Sequence, residues 1–150
     1  MGKPRTPPIY TSPQDAALAF YQAFEARDLD AMMVAWADDE DIVCVHPGGT
    51  RLVGYDAVRS SWEQMFRSDT RLAFRLDEIV VIETVGLAMQ SAMEYVHTAD
   101  GKQRGTAIAT NVFLRTLHPA YIASLARNLV VANLPDRKRS RAADPGGQQT

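Results

Sequence analysis

The chain has 150 residues, 46% of them hydrophobic, and its 16 Lys and Arg nearly balance 18 Asp and Glu. That length suits one domain able to bury a core without disulfides or a structural metal, and the near balance excludes a surface field suited as a whole to nucleic acid or anionic lipid. The single cysteine, Cys44, excludes an internal disulfide and a cysteine-based zinc cluster.

Residues Met1 to Thr11 hold three prolines and little to bury, so an extended arm is expected over 1–11. A first helix follows. Ser12 can accept from the free amides of the first turn, Pro13 suits the first helical position, and Asp15 stands three after the cap as a variant capping box. Ala17, Phe20, Tyr21 and Phe24 then fall on one helical face. Asp28 can cap a second helix in which Leu29, Met32, Met33 and Trp36 repeat that spacing. The acidic run Asp38 to Asp41 closes it as a solvated turn, because consecutive carboxylates at a helix end diverge and a hard cation needs them convergent.

Ile42 to His46 is short, apolar and β-branched, and Pro47-Gly48-Gly49 ends it. A period of two puts Ile42, Cys44 and His46 on one face, with Cys44 expected to be a small buried hydrophobe. Tyr55, Val58, Trp62, Met65 and Phe66 mark a third amphipathic helix lying across a sheet.

From Leu72 the pattern becomes that of strands. Leu72, Phe74 and Leu76 alternate with the charges of Arg75 and Asp77, Ile79 to Ile82 are β-rich, and Leu87 to His97 alternates loosely into an Ala99-Asp100-Gly101-Lys102 hairpin turn. The return strand, Gln103 to Arg115, places Ala107, Ala109, Asn111 and Phe113 on one face and Ile108, Thr110, Val112 and Leu114 on the other. An asparagine between small residues and a phenylalanine is a polar group with no evident reason to be wet. Tyr121 to Asn133 suits either a helix or a strand, and the closing residues, 135–150, read as a disordered tail after a domain spanning 12–134.

The order of these elements, with Asp28-Leu29-Asp30-Ala31, Trp36-Ala37-Asp38-Asp39, Val45-His46-Pro47-Gly48-Gly49, Leu52 to Val58 with Trp62, and Ala109 to Arg115, resembles the SnoaL-like and ketosteroid-isomerase-like bacterial members of the nuclear-transport-factor-2-like (NTF2-like) superfamily. That resemblance covers roughly 12–115 and implies an α+β cone, three helices on a strongly curved antiparallel sheet, with a hydrophobic pocket in the concavity and a homodimer through the sheet's outer face. Ketosteroid isomerases carry an Asp-Pro at the end of the first core strand, the aspartate serving as base; His46-Pro47 stands there. They also carry an acid on a late strand that donates to the substrate oxygen, and Asn111 takes that place. Their helix-one tyrosine falls at Phe20, with Tyr21 one residue on and turned by about 100°. The resemblance thus implies His46 and Asn111 as catalytic candidates, with Phe20, Tyr21, Trp36, Tyr55, Trp62 and Phe113 lining the pocket. Beyond Arg115 the family pattern lapses, through genuine divergence or a disturbed reading frame.

An imidazole near pH 7 is matched to moving a proton, and an amide NH₂ can hydrogen-bond a developing enolate oxygen. The competing expectation gives His46 a backbone partner at the strand end and Asn111 a neighbouring turn to satisfy. His97 and His118 read as surface or turn residues, and with His46 they show no metal-ligand spacing. The reading is a small-molecule-binding domain taking an apolar or carbonyl-bearing ligand, with isomerase- or hydrolase-like proton chemistry within its reach. A non-catalytic association module of the same fold is the alternative. No cofactor, metal, nucleic acid or membrane is expected. No signal-peptide core and no run of the ~20 apolar residues a span needs can be found, so the expected location is the cytoplasm.

Overall fold

In the computed structural model, residues 10–115 and 126–130 are described. Helix α1 (Pro13–Ala26) begins as its cap chemistry dictates: the Ser12 hydroxyl accepts from Asp15 N at 3.1 Å. The capping box is only half closed, because the Asp15 carboxylate accepts from the Thr11 hydroxyl at 2.7 Å. The Thr11 and Ser12 hydroxyls hold that carboxyl below its usual range. Arg27 ends α1 with φ 56, and its guanidinium donates to the carbonyls of Phe66 and Ser68, tying the end of one helix to the end of another.

Helix α2 (Leu29–Val34) is capped by Asp28, whose side chain accepts from Ala31 N. It is shorter than its apolar spacing suggests. Ala35 and Trp36 donate to the carbonyls three residues back, a tightened last turn, so Trp36 lies beyond the helix yet is buried. Strand β1 (Val43–Val45) and strand β2 (Arg51–Val53) pair antiparallel around the Pro47-Gly48-Gly49 turn. The second of these reads in sequence as mere approach to helix α3 (Tyr55–Phe66).

Three long strands follow: β3 (Leu72–Glu83), β4 (Leu87–Thr98) and β5 (Gln103–Leu114). The two apolar stretches of β3 are one strand broken by a bulge between Asp77 and Val80, where Glu78 adopts φ 49. Strand β6 (Ala126–Val130) resolves the ambiguous C-terminal segment toward a strand over those residues. It lies between β5, antiparallel, and β1, parallel, giving the order β2-β1-β6-β5-β4-β3. The expectations for the arm, His118 and the tail fall on 1–9, 116–125 and 131–150, outside the described residues.

The core sits between α1, α3 and the inner sheet face. On β5 the alternation is as the sequence divides it: Ala107, Ala109, Asn111 and Phe113 are buried. On β4 the inner face is Ala88, Gln90, Ala92 and Glu94. Alanines on both strands leave room for large side chains from the helices, and Phe20, Tyr21, Phe24 and Trp62 fill it.

Candidate functional site

Two polar clusters stand at opposite ends of this aromatic core. The first is built on the end of β1. His46 is half-buried, its Nε2 is 3.0 Å from Ser61 Oγ, and its ring meets Trp62 edge-on at 4.6 Å. The Ser61 hydroxyl donates to the Val58 carbonyl at 2.7 Å. With that proton committed, Ser61 accepts from His46 Nε2–H. Cys44, fully buried two residues back, brings its sulfur to 3.8 Å from Nε2.

The second cluster lies under α1. Tyr21 Oη donates to Glu94 Oε1 at 2.5 Å, and Asn111 Nδ2 donates to Tyr21 Oη at 3.4 Å. All three residues are buried, Glu94 at 1% exposure and Asn111 at 0%. Tyrosine has one proton, and it goes to Glu94, so its oxygen can only accept; that orients the Asn111 amide with nitrogen toward Tyr21. Asn111 Oδ1 then has no hydrogen-bond partner among the described residues, and neither has Oε1 of Gln90, its directly opposite neighbour on β4. Native interiors rarely leave such acceptors unmet.

The register relates the two clusters. Arg127 of β6 pairs with Cys44 on one side and Asn111 on the other. With strands ~4.8 Å apart and ~3.3 Å per residue, the Cα atoms of His46 and Asn111 are therefore roughly 12 Å apart. His46 and Asn111 belong to the same sheet surface without touching. Asn111 reaches a helix side chain, not a turn.

Of the remaining candidates, Phe20, Trp36, Trp62 and Phe113 pack as core, none more than 3% exposed, while Tyr55 is half-buried beside it. Phe20 meets Trp36 and Trp62 at ring separations of 6.4 and 5.5 Å. The indole nitrogens of both tryptophans are buried without acceptors among the described residues. It is Tyr21, not position 20, that puts a hydroxyl beside Asn111. Glu94, Gln90 and Ser61 were missed in sequence. The signal for the first two was there: a glutamine and a glutamate spaced by four, alternating with alanines on one face of β4. No group of three His, Cys, Asp or Glu able to hold a metal occurs among the described residues. Nor does any described helix have the length and apolarity to cross a membrane.

Three helices packed on one face of an antiparallel-rich sheet, with an aromatic and polar interior, define an α+β domain of the NTF2-like class. The chain belongs to the SnoaL-like domain family, whose model matches residues 14–119. Similar solved structures include a Thiobacillus denitrificans protein named as a calcium/calmodulin-dependent protein kinase type II association domain, 31% identical over 82% of this chain and 98% of that one, TM-score 0.69. A Streptomyces avermitilis NTF2-like protein named as a dehydratase is 28% identical over 78% of this chain and 92% of that one, TM-score 0.64. A Catenulispora acidiphila protein solved in complex with S-DNPA shares the fold at 14% identity, with 77% and 87% of the two chains covered and TM-score 0.64. No curated protein matches the chain in sequence.

Proposed function

We propose that this domain binds a small, apolar, carbonyl-bearing molecule against the inner sheet face, with His46 and Asn111 at opposite poles of the site. The observation that carries this reading is the pair of buried indole N–H groups, Trp36 and Trp62, without acceptors among the described residues and with His46 against the second ring. Two unmet donors in an aromatic interior suit a carbonyl oxygen, since a buried donor left unsatisfied costs about 1–3 kcal/mol. The imidazole against the Trp62 ring, its Nε2–H held by Ser61, supports acid–base chemistry at the carbon next to that carbonyl. The phenol–carboxylate–amide chain of Tyr21, Glu94 and Asn111 fixes the far pole.

Replacing His46 by alanine tests the chemistry. Turnover of a panel of enolisable ketones is expected to fall by about 10²–10⁴-fold, the usual worth of a positioned proton-transfer group; unchanged turnover rejects His46 as the base. Binding is tested separately, by melting temperature. A ketone held at 100 times its Kd adds about 2.7 kcal/mol to stability, and a panel that leaves the melting temperature unmoved overturns the ligand reading.

A second reading, self-association, is favoured by the opposite sheet face. There Val80, Ile82, Leu87 and Leu114 are 56%, 53%, 39% and 45% exposed, and the register joins Ile82, Met89 and Val112 in one row. Contiguous exposed apolar surface of this kind marks an interface. A homodimer through this face is expected in analytical ultracentrifugation, and Val112→Asp is expected to give a folded monomer. A wild-type chain that sediments as a monomer at tens of micromolar removes this reading and leaves the first intact.

A further inference from the structure

Along the edge of α1 away from the tryptophans runs a groove of about 360 Å³, closed on its other side by β3. Its size is at the lower end of the roughly 300–1,000 Å³ typical of small-molecule sites. The β3 bulge supplies its far wall. Leu76 pairs with Glu94 before the bulge and Val81 with Gln90 after it, both partners buried on the inner face. The extra residue therefore switches the inward positions of β3 from even to odd numbers, which brings Ile79 round to the groove. Ala17 and Leu18 of α1 line the side opposite Leu76 and Ile79. Leu18 and Ile79 are 56% and 50% exposed, an apolar lip on either side.

Different polar groups mark the two ends. Glu25, in the last turn of α1, accepts from Phe74 N at 3.1 Å. Phe74 pairs with Val96, and Gln90 lies six residues along β4 from there, so the register sets Gln90 roughly 20 Å from the Glu25 end. Gln90 is only 3% exposed, and its Oε1 is buried without a hydrogen-bond partner among the described residues. The end of this amide that reaches the groove is its nitrogen, a donor and never an acceptor. No Lys or Arg is part of the lining, and Glu25, its one carboxylate, stands far from the donor. An anion at Gln90 would lose its water with no cation to replace it. The Nε2–H groups therefore suit a neutral acceptor, and the walls between the two ends suit a saturated chain.

We propose that the α1–β3 groove binds a neutral straight-chain acyl compound, an ester or amide whose carbonyl oxygen accepts from Gln90 Nε2 and whose chain lies between Leu18 and Ile79, pointing toward Phe74. The donor selects the carbonyl, and the absence of a cation from the lining selects against the free acid. The proposal uses neither His46 nor the indole donors, and it stands whether or not the ketone reading does.

Titration of the full chain with octanamide, octanoate and octylamine tests it, followed by the backbone amide signals, the Gln90 side-chain NH₂ and the indole N–H signals of Trp36 and Trp62. Octanamide is expected to shift Leu18, Ile79 and the Gln90 side chain, to leave both indoles in place, and to bind about tenfold more tightly than either charged analogue, the worth of one satisfied hydrogen bond. Shortening it to pentanamide is expected to weaken binding by about two- to fourfold per methylene. Gln90→Met keeps the side chain's length, removes the donor together with the unmet oxygen, and is expected to erase the preference for octanamide. Ile79→Asp, at a half-exposed lip, is expected to abolish binding. Equal affinity for the three ligands, no binding of octanamide, shifts confined to the indoles, or octanamide binding that survives both substitutions overturns the proposal. The ketone experiment reads His46 at the other end of the core, so such a failure leaves it unaffected.

Discussion

Trp62→Ala is expected to lower the unfolding free energy by about 3–5 kcal/mol, the cost of deleting a large aromatic from a closed core. Trp62 is fully buried and stands at the centre of the aromatic cluster. Its ring meets Phe20 and Phe24 edge-on at 5.5 Å, His46 at 4.6 Å, Phe66 at 5.8 Å and Trp36 at 6.5 Å. No neighbour can collapse into the space, because the inner sheet face beneath is alanine-rich and the helices are pinned at their ends by Arg27. Against a total stability of about 5–15 kcal/mol for such a domain, the loss is large enough to threaten folding. Trp62→Phe is therefore measured alongside by urea denaturation. It retains most edge contacts and removes the unmet indole N–H, so its cost is expected to be less than half that of alanine. A loss below about 1 kcal/mol for Trp62→Ala would place the ring outside the cooperative core, since surface substitutions usually stay within about 0.5 kcal/mol.

Tyr21→Phe, which removes a single oxygen, is expected to cost about 2–3 kcal/mol. A hydrogen bond to a carboxylate contributes roughly 1.5–3 kcal/mol, and here the deletion also leaves the Asn111 amide without its acceptor. The measurement is equilibrium denaturation of Tyr21→Phe, Asn111→Leu and the double variant. Coupling between them is expected at about 0.5–3 kcal/mol, as for residues sharing one network. Strict additivity would mean that the 3.4 Å contact between Asn111 and Tyr21 contributes nothing. Phe20→Tyr in the Tyr21→Phe background completes the test. Position 20 faces Trp36 and Trp62, so a hydroxyl there is not expected to restore stability.

That last comparison marks where reading by motif stops. Spacing places the helix-one tyrosine of the ketosteroid-isomerase pattern at Phe20, and the neighbouring Tyr21 looks misdirected by about 100°. The helix lies across the sheet so that both positions are buried. Position 20 faces the tryptophans and position 21 faces β4 and β5. Which of two adjacent buried residues meets a given strand depends on the rotation of the helix about its axis, and no local signal sets that. Strand β4 shows the same limit. Its Met89, Ser91, Met93 and Tyr95 face is richer in large apolar groups than the Ala88, Gln90, Ala92 and Glu94 face. Yet the second is the buried one, because the helices above it bring their own bulk and need small partners.

What the sequence by itself determined is local or periodic: the Ser12 and Asp28 caps, the third helix, the two faces of β5, the hairpin around Gly101 and the motif order that leads to the SnoaL-like family. Each follows from backbone chemistry or from alternation within one element. Tertiary structure alone decided that Ala126–Val130 inserts between β1 and β5, and so how far His46 stands from Asn111. It also decided that Tyr21 and Glu94 join Asn111 in one buried chain. These are contacts between residues up to 90 apart in sequence, fixed by how layers of different bulk fit together, and composition and periodicity carry no record of that fit.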